Sequence, residues 1–110
     1  MATFSKKDIV LFSFPYTDLS SRKLRPCLVL SNEMNQDIVL CQITSKNIVG
    51  DNYSIELKKE QTMQGSLQID SYIRTNMIFT ADKKQIERKI CEVSEENYER
   101  VIEKIIELIY

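Results

Sequence analysis

Arg25 and Thr44 are the residues whose type and setting could carry chemistry in this 110-residue chain. Arg25 stands at the head of the apolar run Leu24-Arg25-Pro26-Cys27-Leu28-Val29-Leu30-Ser31, and Thr44 closes a second apolar run in the sequence Gln42-Ile43-Thr44-Ser45-Lys46. A guanidinium stays protonated and presents a planar fork of donors that fits a phosphate. A phosphodiester under attack gathers charge on its oxygens. Each donor aimed at that charge can contribute roughly 3–4 kcal/mol in a water-poor site. The hydroxyls of Thr44 and Ser45 add donors. If the attacking group is the 2′-OH of RNA itself, the protein supplies no nucleophile. It positions the backbone, stabilises charge and helps proton transfer. Neither dipeptide is specific alone, and the plainer alternative is that Arg25 and Thr44 are rim residues of a small β domain.

Absent residue types narrow the field further. The chain has no histidine. That removes Ser-His-Asp and Cys-His nucleophile pairs and histidine acid–base catalysis. The cysteines Cys27, Cys41 and Cys91 are odd in number, widely spaced and form no CxxC pair. A zinc site is not expected from them, and Cys27 and Cys41, inside apolar runs, read as small hydrophobes. No metal and no cofactor are expected. The net charge is −1, yet the first 30 residues carry five Lys/Arg against two Asp. Such a surplus could make a phosphate-attracting face or be ordinary solvated charge.

The elements that must position these groups follow from pattern. The length suits one domain spanning 1–110. No apolar run reaches the roughly 18 residues of a membrane span, and the N-terminus lacks the order of a signal peptide, so a cytoplasmic protein is expected. Strands are predicted over 8–14, 24–31, 37–44, 53–57 and 86–93, with one or two more in 67–80. Pro26 cannot donate to a ladder and is expected at an edge position or a strand start, with Arg25 at the strand's mouth. The polar stretch 16–23 reads as a loop, the kind of segment where binding groups sit. Ser94 as N-cap, Glu95 and Glu96 behind it, and Tyr98, Val101, Ile102, Ile105 and Ile109 at three- and four-residue spacing predict a terminal helix. The result is a mainly β (α+β) domain, a small barrel of five to seven strands with a C-terminal α-helix. Ile106 and Leu108 widen the helix's apolar face enough for a dimer contact, or for docking wholly within one chain.

With these residues in view, the sequence resembles the MazF/PemK family of toxin endoribonucleases from bacterial toxin–antitoxin systems. The likeness is carried by Asp8-Ile9-Val10-Leu11, Phe14-Pro15-Tyr16-Thr17-Asp18, the Leu24–Ser31 run and Gln42-Ile43-Thr44-Ser45-Lys46. It is weaker in Asp70-Ser71-Tyr72-Ile73-Arg74 and Ile78-Phe79-Thr80. The resemblance implies an SH3-like barrel, usually a homodimer. It implies metal-independent, sequence-selective cleavage of single-stranded RNA by 2′-OH attack, leaving 2′,3′-cyclic phosphate and 5′-OH ends. It also implies a cognate antitoxin partner, with DNA binding by the antitoxin complex. By position Arg25 looks like the family's catalytic arginine and Thr44 like the threonine that holds the scissile phosphate, with Ser45 as a further donor.

Lesser candidates keep two readings each. Tyr16 could stack on a base or be a loop-edge tyrosine, and Asp18 could accept from a base or form a turn. Lys23 and Lys46 could meet neighbouring phosphates or be solvated. Arg74 is expected to pair with an acid such as Asp70 in preference to an RNA role. The chain departs from the family in having Lys7 where glycine is common before the first strand's acid, no glycine in the 16–23 loop, and Cys27 where alanine is common. The rival readings are a non-catalytic toxin-like binder on the same fold, such as a topoisomerase inhibitor, and an inactive family member.

Overall fold

The computed structural model describes residues 3–15 and 22–110. Six strands follow in chain order: β1 Asp8–Pro15, β2 Arg22–Val29, β3 Asp37–Thr44, β4 Ser54–Leu57, β5 Ser71–Asp82 and β6 Ile86–Glu92. The helix α1, Glu95–Ile109, ends the chain. All pairings are antiparallel, in the order β4-β5-β3-β2-β1-β6.

That order forces curvature. β5 and β6 lie four strand spacings apart, about 19 Å on a flat sheet. They are joined only by the 3-10 turn Lys83–Gln85, which cannot span more than about 14 Å even if extended. The sheet therefore curls, and its far edges approach: Met63 and Glu92 exchange backbone hydrogen bonds of 2.9 and 2.8 Å across the remaining gap. The barrel is open, tied shut at this one isolated bridge and not by a β4–β6 ladder.

Curling buries both faces, which is why β1 and β3 read as continuous apolar runs and not as alternation. Ile9, Leu28, Cys41 and Ile73 point into one cluster that α1 covers with Val101 and Ile105. Their strand neighbours Val10, Cys27, Val29 and Leu40 point into the other, closed by Phe12, Phe14 and Phe79. The Phe12–Phe14 and Phe12–Phe79 rings meet edge-on at 4.8 and 5.3 Å, the geometry their quadrupoles favour. Ser94 caps α1 as its type predicts, its hydroxyl accepting from the Asn97 amide at 3.1 Å, a contact worth about 1 kcal/mol.

One expectation is corrected. β2 is an interior strand between β3 and β1, and Pro26 is its fifth residue, not an edge or a start. Of the one or two strands expected in 67–80 there is one, β5, which begins at Ser71. The helix's apolar face is covered only in part: Ile106 and Ile109 remain 51% and 78% exposed. Among the described residues no helix is long and apolar enough to cross a membrane.

Candidate active site

The tolerance for proline inside β2 explains how a cavity opens in the sheet. The Leu30 amide donates to the Val39 carbonyl at 2.9 Å, and the register continues as Leu28 opposite Cys41. Even-numbered residues of β2 thus turn their amides toward β3. At Pro26 that amide is missing, opposite the Ile43 carbonyl, and the β2–β3 ladder stops at Cys27 opposite Gln42. Continued two residues beyond the end of the ladder, the same register would set Arg25 opposite Thr44. Arg25 stays anchored on its other side, where it pairs with Phe12 of β1.

Arg25, Pro26, Ile43 and Thr44 form a wall shared by two cavities. The larger, of about 660 Å³, is further lined by Lys23, Leu24, Ser45, Gln68 and Arg88 among others. The smaller, of about 270 Å³, is completed by Phe14, Pro15, Gln42 and Arg74. Among the described residues no carboxylate lines either cavity. Among the described residues Arg25 has no acid within ion-pair distance. The Thr44 hydroxyl accepts from the Lys46 amide at 3.2 Å. This fixes the oxygen and leaves its proton to be donated elsewhere.

Arg74 reaches the site through an irregularity in β5. Cys41 pairs with Ile78 and Ile43 with Ile73, so the single residue Gln42 faces four residues of β5, 74–77. Such a bulge re-aims side chains. The Cys41 thiol donates to the Arg74 carbonyl at 2.9 Å, and the Thr75 hydroxyl donates to the Tyr53 carbonyl, so the bulge is held from two sides. Arg74 does not pair with Asp70, whose carboxylate instead accepts from the Lys59 amide at 2.9 Å. Its Nε is buried without a partner among the described residues, and the residue lines the smaller cavity.

Burial pushes the Cys27 and Cys41 thiols up to about 12, so neither is a thiolate nucleophile at neutral pH. Of the other sequence candidates, Lys23 and Ser45 line the larger cavity with Arg25 and Thr44. Lys46 is exposed and lines neither. Tyr16 and Asp18 lie outside the described residues. Arg74's place beside Thr44, and those of Gln68 and Arg88, depend on non-local register, for which the local sequence has no signal.

The model of the PemK-like, MazF-like toxin family of type II toxin–antitoxin systems matches residues 5–109. The chain belongs to this family. Among curated proteins no sequence matches. Solved structures of the family share the fold. MazF in a MazE–MazF structure from Deinococcus radiodurans superposes with a TM-score of 0.78 at 17% identity, over 96% of this chain and 95% of that one. An endoribonuclease in complex with its cognate antitoxin, from a mycobacterial species, gives 0.67 at 16% identity over 94% and 92%. The Mycobacterium tuberculosis toxin MazF-mt6 gives 0.65 at 16% identity over 87% and 91%. At these identities the MazF-like fold is what is shared.

Proposed function

We propose that this MazF/PemK-family protein is a cytoplasmic endoribonuclease toxin that cuts single-stranded RNA, selectively by sequence and without a metal or cofactor. The observation that carries the reading is the convergence of Arg25 and Thr44 on one wall between two cavities that, among the described residues, hold cations and hydroxyls but no carboxylate. Such a donor set suits an anion that gains charge in the transition state.

In the reaction the 2′-OH of the nucleotide before the cut attacks the neighbouring phosphorus. The P–O2′ bond forms, the P–O5′ bond breaks, the 2′ proton departs and the leaving 5′ oxygen takes one up. The products are a 2′,3′-cyclic phosphate and a 5′-OH. The Thr44 hydroxyl and the Arg25 guanidinium hold the non-bridging oxygens, Ser45 adds a donor, and Arg25 assists proton transfer. Arg74 supplies a second guanidinium from the smaller cavity. Lys23 binds the RNA backbone nearby; Lys46, beside Thr44 in sequence, and Tyr16 and Asp18 complete the proposed RNA contacts. The exposed end of α1, with Ile106 and Ile109, supports a homodimer, and an antitoxin would neutralise the protein by covering the same cavities.

The test is to incubate the purified protein with mixed-sequence single-stranded RNA in EDTA and map the ends. Cyclic-phosphate and 5′-OH ends, lost in Arg25→Ala, are expected. Intact RNA from folded protein overturns the reading in favour of a non-catalytic toxin-like binder.

A further inference from the structure

The larger cavity contains more than the proposed cleavage needs. Lys23 and Arg25 reach it from β2 and Arg88 from β6, three cations with no carboxylate beside them among the described residues. Three acids of the neighbouring elements are engaged elsewhere: Lys89 holds Asp8 at 3.2 Å and Glu92 at 2.5 Å, and Asp70 accepts from the Lys59 amide. Glu87, next to Arg88 in sequence, does not line the cavity. Among the described residues Arg88 makes no ion pair.

Position argues in the same direction. Arg88 pairs with Leu11, and Leu11 pairs with Pro26, so the three stand in a row across β6, β1 and β2. Two strand spacings, about 10 Å, separate the Arg88 backbone from the shared wall. The same cavity is lined by the apolar Leu11, Pro26, Leu67 and Ile90, and by Gln68, whose amide offers both a donor and an acceptor. The wall carrying Gln68 is tied to β6 by the Met63–Glu92 bridge. Cations, an apolar lining and an amide match one nucleotide: a phosphate for Arg88, a base face for the apolar lining and a base edge for Gln68.

We propose that the larger cavity binds the nucleotide flanking the scissile phosphate, with Arg88 clamping that nucleotide's own phosphate and Gln68 reading its base. This rests on the RNA-cutting reading for its substrate class, and it makes Arg88 a binding and specificity residue, not a participant in bond cleavage.

The test compares wild type, Arg88→Ala and Arg88→Lys in two measurements. The first is equilibrium binding of a short single-stranded RNA made uncleavable by a 2′-deoxy sugar at the cut site, over a range of salt. Arg88→Ala is expected to weaken binding roughly tenfold. It should also flatten the slope of log affinity against log salt by about 0.7, the share of one single-strand phosphate. Arg88→Lys should keep the slope. The second is cleavage of a dinucleoside monophosphate, which has only the scissile phosphate; there Arg88→Ala should match wild type.

An unchanged affinity and slope in folded Arg88→Ala overturns the proposal and leaves Arg88 as an edge-strand charge. So does an equal rate loss on the dinucleotide, which would put Arg88 in the chemistry. Wild type that binds the uncleavable RNA yet leaves ribose RNA intact defeats only the cleavage reading, and the salt slope still decides on Arg88.

Discussion

The Cys41 thiol donates to the carbonyl of Arg74 at 2.9 Å, across the bulge where four residues of β5 face Gln42 alone. A buried core atom thus fixes the backbone from which a cavity cation projects. Arg74→Ala should lower kcat/KM for RNA by about 10²–10³, the usual cost of one transition-state donor, and shift Tm little, because the Nε it removes has no partner. Lysine there should restore only part of the rate, since it lacks the planar fork. Single-turnover cleavage beside a melting curve checks this; an Arg74→Ala enzyme as fast as wild type would remove Arg74 from the site.

The buried thiols predict a loss of stability in alkali. Burial raises Cys27 and Cys41 from 9.0 to about 12. Between those values the unfolded chain has lost protons that the folded chain keeps, so their contribution is full below about pH 9 and falls as pH rises toward 12. With these two thiols the slope approaches about 2.7 kcal/mol per pH unit, and Cys91, pushed up to about 11 by burial, adds a further share. Urea midpoints from pH 8.5 to 10.5 should fall accordingly, and Cys27→Val should reduce the slope by roughly a third. Rapid alkylation of both thiols in the folded protein at pH 8 would contradict this account.

Lys7 stands in the left-handed region, φ 82°, at the position where the sequence departs from the family's common glycine. Its amide donates to the Val29 carbonyl and its carbonyl accepts from the Val93 amide, so the conformation is held from both sides. Its ammonium meets Glu95 at 2.9 Å. Lys7→Gly and Lys7→Ala both remove that ion pair, but only glycine is at ease with this φ. Lys7→Gly should therefore melt about 4–8 °C above Lys7→Ala. Equal melting temperatures would mean the backbone relaxes at no cost.

Gly65 sits at φ 127° with its Cα against β6, and a Cβ there would fall on the Ile90 carbonyl. Gly65→Ala should destabilise the protein by about 1–3 kcal/mol. Because it must push residues 66–69 away from β6, hydrogen exchange should quicken first at Met63 and Glu92. A variant as stable as wild type would show that this wall of the larger cavity is loose. The same substitution at Gly50, φ 82° but with open space around it, strains only the backbone.

Local pattern carried most of the fold. The apolar runs of β1 and β3, the Ser94 cap and the helical spacing behind it fix these elements to within a residue or two. Arg25 and Thr44 were legible as candidates because type and order sufficed to single them out. What failed was non-local. Local sequence puts Pro26 at an edge because a missing amide breaks a ladder, whereas in the sheet only the β3 side goes unpaired. The β5 bulge has no glycine or proline to mark it, so Arg74 looked free to meet Asp70, and nothing in the chain near Arg88 shows that it shares a cavity with Arg25.

The early end of the β2–β3 ladder also divides the molecule mechanically. Ser13–Pro15 and 22–24 pair only with each other, a ribbon without a third strand, whereas Phe12, opposite Arg25, is braced by Ile86 of β6. Arg25 stands at the braced inner end of that ribbon, and Lys23 lies two residues out along it. The two cations that β2 brings to the larger cavity thus differ in backing, Arg25 opposite a strand held on both sides and Lys23 on a two-stranded extension.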